Sequence, residues 1–367
     1  MIAGGMDRRL RPSLDWLLVL VPIAAVLAFT RASPTWTFFV ACGAIVPLAA
    51  WIGRATEDLA ATVGEGLGAI LNATFGNAAE LIIGWMALRR GLVAVVKASL
   101  TGSILGNVLL VLGAAILVGG MRRQEQHFNR SGARSQATML LLAAIALVMP
   151  AAYHHLGGPR AALLEGSLSL AIAAVLLATY ACGLWFSLRT HKELFAGCGP
   201  PPKDAALAEG RSALGRGRAL AVLVGATALV AGLSELLVGT VEEASHALGM
   251  SDVFIGIIVV AIAGNAAEHA TAVLLARKNR MDLALGIALG SSIQIALLVA
   301  PLLVIASHFI GPTPMDLVFS APEVLAVAVA VLLAAQIAGD GASNWLEGVQ
   351  LIAVYAILGI VFYFFPG

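Results

Sequence analysis

Two carboxylates stand in the middle of long apolar runs, and each closes the same five letters: Gly76-Asn77-Ala78-Ala79-Glu80 and Gly264-Asn265-Ala266-Ala267-Glu268. A charge at the centre of a bilayer costs on the order of 3 kcal/mol or more, so an acid there marks a functional site by default. A lone intramembrane Glu often serves the polar group of a neighbouring helix. Two in one frame, 188 positions apart, argue against that structural role. Asn precedes Glu by three residues, which puts amide and carboxylate on one helix face. Gly76 and Gly264 each cost about 1 kcal/mol of helix propensity. They read as helix-break glycines, positions where the backbone unwinds or another helix comes close. Carboxylate, amide oxygen, freed carbonyl and hydroxyl are hard oxygen ligands that suit calcium and similar cations. The candidate metal ligands are therefore Glu80, Glu268, Asn77 and Asn265. Ser103, Ser291, Ser292 and Gln294, in the segments that follow the motifs, are candidates to complete the shell.

Two carboxylates close together at mid-membrane cannot both stay ionised cheaply without a cation. An empty pair takes up protons, and a bound cation drives them off. The same groups would then serve cation and proton in turn, which is the physical core of cation/proton antiport. An antiporter of sodium or potassium against protons could use the same pair, and a passive cation channel is a third reading. No Ser/His or His-Glu-x-x-His arrangement lies on facing segments, so the chain does not read as an enzyme. His269, directly after Glu268, together with Glu235, Glu57 and Glu243, reads as gating the site or supporting its ligands.

These groups need elements to carry them. With 60% hydrophobic and 12% charged residues among 367, the chain reads as an all-α polytopic membrane protein. Cys42, Cys182 and Cys198 show no spacing for a disulfide framework or a zinc site. Apolar periodicity places eleven spans at about 14–30, 35–53, 60–88, 93–119, 136–153, 160–187, 218–245, 251–276, 282–307, 315–337 and 344–365. The first is a retained helix rather than a cleaved signal. The polar stretch 188–217, with Gly199-Pro200-Pro201-Pro202, separates two hydrophobic halves. The organisation expected is 1–31 (tail and first helix), 32–187 (first repeat), 188–217 (cytoplasmic linker) and 218–367 (second repeat).

With the N-terminus inside, 17 of the 22 basic residues fall on the cytoplasmic side of the alternation. That bias fits a cytoplasmic N-terminus, an outer C-terminus and residence in the cell inner membrane. Five spans separate the two motifs, so the copies run in opposite directions. The 188-residue offset continues through Gly102-Ser103 on Gly290-Ser291 and Leu109-Leu110-Val111 on Leu297-Leu298-Val299. Spans 2–6 and 7–11 thus read as two inverted five-helix repeats beside one extra N-terminal helix. That architecture recurs in secondary transporters whose site lies where the repeats meet, and it disfavours the channel.

At this point the residues resemble a family. The paired motifs, Asn72-Ala73-Thr74-Phe75 leading into the first, Glu268-His269-Ala270 closing the second and Gly290-Ser291-Ser292-Ile293-Gln294 beyond it are similar to the calcium/proton exchangers of the cation/calcium exchanger superfamily. The resemblance implies eleven helices in two inverted repeats and calcium export coupled to proton entry. Motif Glu and Asn residues act as cation ligands, with spans 2 and 7 sliding during alternating access. The partners implied are calcium, protons and the lipid bilayer. No cofactor and no nucleic acid are implied, and a homo-oligomer is left open. Many relatives carry Thr where this chain has Ala79, and many carry an acidic segment where 188–217 is basic. Sodium/calcium exchangers typically place Pro just before the motif Glu. Neither copy does so here, which favours protons as the coupling ion.

Overall fold

The computed structural model describes residues 14–30, 33–63, 65–192 and 215–365. The N-terminal arginines, Arg31, and the middle of the linker with Cys198 lie outside the described residues.

In lipid every backbone polar group must be satisfied internally, so Ala-, Leu-, Val- and Ile-rich runs of this length become helices. α1 spans Leu14–Thr30 and α2 spans Pro34–Val63. α3 (Glu65–Phe75) and α4 (Ala78–Arg89) are two pieces of the third expected span. There follow α5 (Val93–Gly120), α6 (Arg130–Leu156), α7 (Pro159–Trp185), α8 (Arg216–Leu248), α9 (Asp252–Arg277), α10 (Met281–Ser307), α11 (Ala321–Asp340) and α12 (Trp345–Phe364). Among the described residues nine helices, α2 and α5 to α12, are long and apolar enough to cross a membrane. The other two expected spans are the shorter α1 and the broken α3/α4 pair. The tenth expected span begins later than the hydropathy suggests. Gly311, at φ 84°, turns the chain beside Leu88, and α11 starts only where Ser320 and Glu323 cap each other across its first turn.

The two helices that follow the motifs form the centre. In α5 78% of the apolar window is buried and in α10 72%, against 17% in α12. Lipid supplies no hydrophobic drive between helices, so close approach through small residues has to hold them. α5 crosses α12 at Gly113 and Gly348, where a Cβ on either would lie within 3 Å of the other helix's backbone. α2 and α8, of 30 and 33 residues, pack along each other. α1 rides on α2, with Leu20 seated at Gly43 and Asp15 accepting from Trp51 Nε1 (2.9 Å) and Arg54 Nη2 (3.1 Å).

Several loops contact one another. Residues Gln126–His127 (β1) pair antiparallel with Ala342–Ser343 (β2), a two-stranded ladder that apolar periodicity does not reveal. Asp282 accepts from the backbone N–H of Asn129 (2.5 Å), and Arg130 donates to the carbonyl of Gly339 (2.5 Å). All of these segments belong to the face assigned as cytoplasmic. On the opposite face Lys97 pairs with Asp316 (2.6 Å) and His154 with Glu165 (2.7 Å).

Candidate functional site

Gly76 and Asn77 form a turn, and α4 begins at Ala78. Asn77 is the N-cap residue, at φ −109° and ψ 32°, yet its side chain makes no capping bond. An Asn in this position normally satisfies the helix's own N–H groups. Here the amide is committed elsewhere: Asn77 Nδ2 donates to Gln294 Oε1 (2.5 Å), and Asn77 Oδ1 accepts from Ser291 Oγ (3.1 Å), both on α10. Glu80 consequently stands in the first turn of α4, where the N-terminal end of the helix favours negative charge.

The second motif behaves differently, and one expectation needs correcting. Gly264 does not break its helix: Ala261–Arg277 runs continuously through the motif. The irregularity lies upstream instead, in the π-helical turns Ile255–Val260. Gly264 provides room rather than a break, since a Cβ there would lie 2.9 Å from Glu80 Oε1. The carboxylate of the first motif therefore rests against the backbone of the second.

The serines expected after each motif are exchanged between the halves. Asn265 Nδ2 donates to Ser103 Oγ on α5 (3.0 Å) and to the carbonyl of Ala261 (2.9 Å), while Ser291 on α10 serves Asn77. These two cross-links are related by the 188-residue offset. Glu80 and Glu268 are close enough to repel each other. One oxygen of the second carboxylate, Glu268 Oε2, is buried with no hydrogen-bond partner. An orphaned carboxylate oxygen fits a proton or a hard cation as its missing partner.

Asn107 is the residue that sequence reasoning did not select. It is 1% exposed and sits in a π-helical turn of α5, Gly106–Val111. Its Nδ2 donates to Ser291 Oγ (3.0 Å) and Asn265 Oδ1 (3.4 Å). Its Oδ1 meets His269 Nε2 (3.1 Å), so His269 must carry its proton on that nitrogen. The available signal was an Asn inside an apolar run. The offset places Ile295 opposite it, so it has no counterpart in the other half.

Not every candidate joins this cluster. Ser292 is fully buried but turned onto the carbonyl of Ala288 in its own helix (2.9 Å). Glu235 forms an ion pair with Arg90 (2.6 Å), tying the end of α4 to α8 across Gly239. Glu57 and Glu243 stand exposed near the ends of α2 and α8. His269 belongs to the cluster through Asn107.

Fold and site together define an integral membrane protein of the ion-transport class. The family model described as sodium/calcium exchanger protein matches residues 33–189 and 218–364, and the chain belongs to that family. Among curated relatives it is 44% identical to a Ca(2+)/H(+) antiporter of Aphanothece halophytica, over 95% of this chain and 96% of that one. It is 45% identical to the Ca(2+)/H(+) antiporter ChaA of Bacillus subtilis (strain 168), over 94% and 96%. The solved structure of native YfkE superposes with a TM-score of 0.82 at 41% identity, covering 96% of this chain and 100% of that one. The crystal structure of the H+/Ca2+ exchanger CAX, at 19% identity, shares the fold, with a TM-score of 0.69 over 95% and 91%.

Proposed function

We propose that this chain is a secondary antiporter that exports calcium in exchange for protons. Glu80 and Glu268, with Asn77 and Asn265 beside them, bind a calcium ion or protons in turn. The observation that carries the reading is the crossed pair of contacts, Asn265 to Ser103 and Ser291 to Asn77. Those contacts bring both amides and two hydroxyls from opposite halves together, and the two acids follow the amides by three residues, which supports one shared cluster. Relatives named as Ca(2+)/H(+) antiporters, similar over nearly the whole chain, support calcium and protons as the ion pair.

In the same reading all eleven spans cross the membrane, 32–187 and 218–367 are inverted repeats, and the N-terminus is cytoplasmic. The two stretches of the family match and the same-face loop contacts support this arrangement. An alternating-access cycle follows from the chemistry. Calcium enters the deprotonated pair from the cytoplasm, is released outside as protons neutralise both acids, and the protonated site returns.

The experiment is flux in proteoliposomes with an imposed pH gradient, with calcium, sodium, potassium and manganese compared. The expected result is calcium uptake that dissipates the gradient and stops when the gradient is collapsed. Uptake that persists without a gradient would sink the antiport reading, and gradient-driven sodium or potassium flux without calcium flux would replace the cargo.

A further inference from the structure

Two glycine pairs obey the 188-residue offset beyond the motifs: Gly68 with Gly256, and Gly102 with Gly290. One member of each pair is interlocked with its neighbour. A Cβ on Gly102 would lie 2.0 Å from the carbonyl oxygen of Ile257, and one on Gly256 would lie 2.7 Å from the Cβ of Ala98. α5 and α9 therefore touch through two glycines, an approach that side chains at either position would prevent.

The counterparts are apart. Gly290 on α10 has nothing within 4 Å, and a Cβ on Gly68 would meet the carbonyl oxygen of Ala60, on α2, at 2.8 Å. α3 thus leans on α2, with Leu67 and Ile70 exposed. Its C-terminal end meets the turn at Gly76-Asn77, the place where a short helix can change direction without disturbing α4.

We propose that Gly68 and Gly290 form a second clasp, closed when α3 swings about Gly76-Asn77 onto α10 while the Gly102–Gly256 clasp opens. The proposal rests on the antiport reading and names the surfaces that uncover its site from one face at a time. What docks at Gly290 is fixed by the offset. Gly102 receives the backbone around Gly256 and Ile257, so Gly290 receives the backbone one repeat earlier, around Gly68. In the orientation proposed above, the closed clasp seals the outer side, and the open one leaves the cytoplasmic side accessible. Ligands that favour one clasp shift the population toward it.

Gly290→Leu tests this directly, because a Cβ at this position meets open space in the present conformation and helix backbone in the proposed one. Exchange in proteoliposomes is expected to fall by about tenfold or more, while calcium-induced thermal stabilisation of the purified protein persists. Hydrogen exchange reads the clasps themselves. Backbone amides of Glu65–Phe75 are expected to exchange faster in Gly290→Leu than in the wild type. In Gly102→Leu they should slow, while those of Ile255–Val260 speed up. Exchange in Gly290→Leu within about twofold of wild type would overturn the proposal, as would both variants moving α3 in one direction. Should Gly290→Leu fail to assemble, Gly290→Ala carries the same test at smaller amplitude. If wild type moves no calcium against protons, the antiport reading fails, and the reciprocal hydrogen-exchange pattern still decides the clasp.

Discussion

At Gly76-Asn77 the chain leaves helical geometry and restarts as α4, whereas at Gly264-Asn265 the same letters lie inside an unbroken α9. Five identical residues cannot carry that difference, so their surroundings do. Upstream of the second motif, α9 is pinned to α5 at Gly102 and absorbs its irregularity in π-helical turns. Upstream of the first, α3 has α2 as its neighbour and is free to end in a turn. The two acids are therefore held differently. Glu80 is at the N-terminal end of a new helix with its carboxylate against Gly264, while Glu268 lies inside a continuous helix and keeps one oxygen orphaned. The matched residues of the two motifs are thus held asymmetrically in this structure.

The sharpest way to break this comparison is to neutralise each acid alone. Glu80→Gln and Glu268→Gln should each lower calcium/proton exchange by about a hundredfold or more, because each removes half of the ligand charge on which calcium affinity depends. Both variants should remain folded in detergent by size-exclusion profile. Retention of exchange in only one of them would mean that the motifs are unequal in role as well as in backbone.

Asn107→Ala should have a smaller but measurable effect. It leaves Ser291, Asn265 and His269 short of a partner in the protein interior, and stability should fall by on the order of 2 kcal/mol. A melting curve of the purified protein checks this. Asn107→Asp, which keeps the acceptor toward His269 but loses both N–H donors, should also be impaired.

The smallest effects belong to the ion pairs outside the cluster. Lys97 is mostly buried against Asp316, the carbonyl of Val318 and the ring of Phe319, so Lys97→Met should cost about 1 to 3 kcal/mol. Arg90 and Glu235 are both partly exposed, and Arg90→Gln should cost less than about 1 kcal/mol. A larger loss of transport than of stability in Arg90→Gln would make that pair part of the moving machinery.

Much of the site was legible because membrane chemistry makes polar residues expensive. The two acids, the amides three residues earlier, and Ser103, Ser291 and Gln294 stand out in apolar runs, and the offset between copies says which belong together. Three features were not. The helix break at Gly76 and its absence at Gly264 depend on which neighbour each segment packs against, and the letters are identical. Asn107 has Ile295 opposite it at the offset, and only its contacts with Ser291, Asn265 and His269 bring it into the cluster. Ser292 looked like a ligand by type, but its hydroxyl was already satisfied by the carbonyl four residues earlier, a bond within its own helix.

The central claim is that Glu80 and Glu268 form one site occupied by calcium or protons in turn. It is tested most directly by adding calcium to weakly buffered purified protein and measuring the protons released with a pH indicator. The account predicts release of about one to two protons per bound calcium near neutral pH, and less from Glu80→Gln and Glu268→Gln. Calcium that binds wild-type protein with no proton release would contradict it.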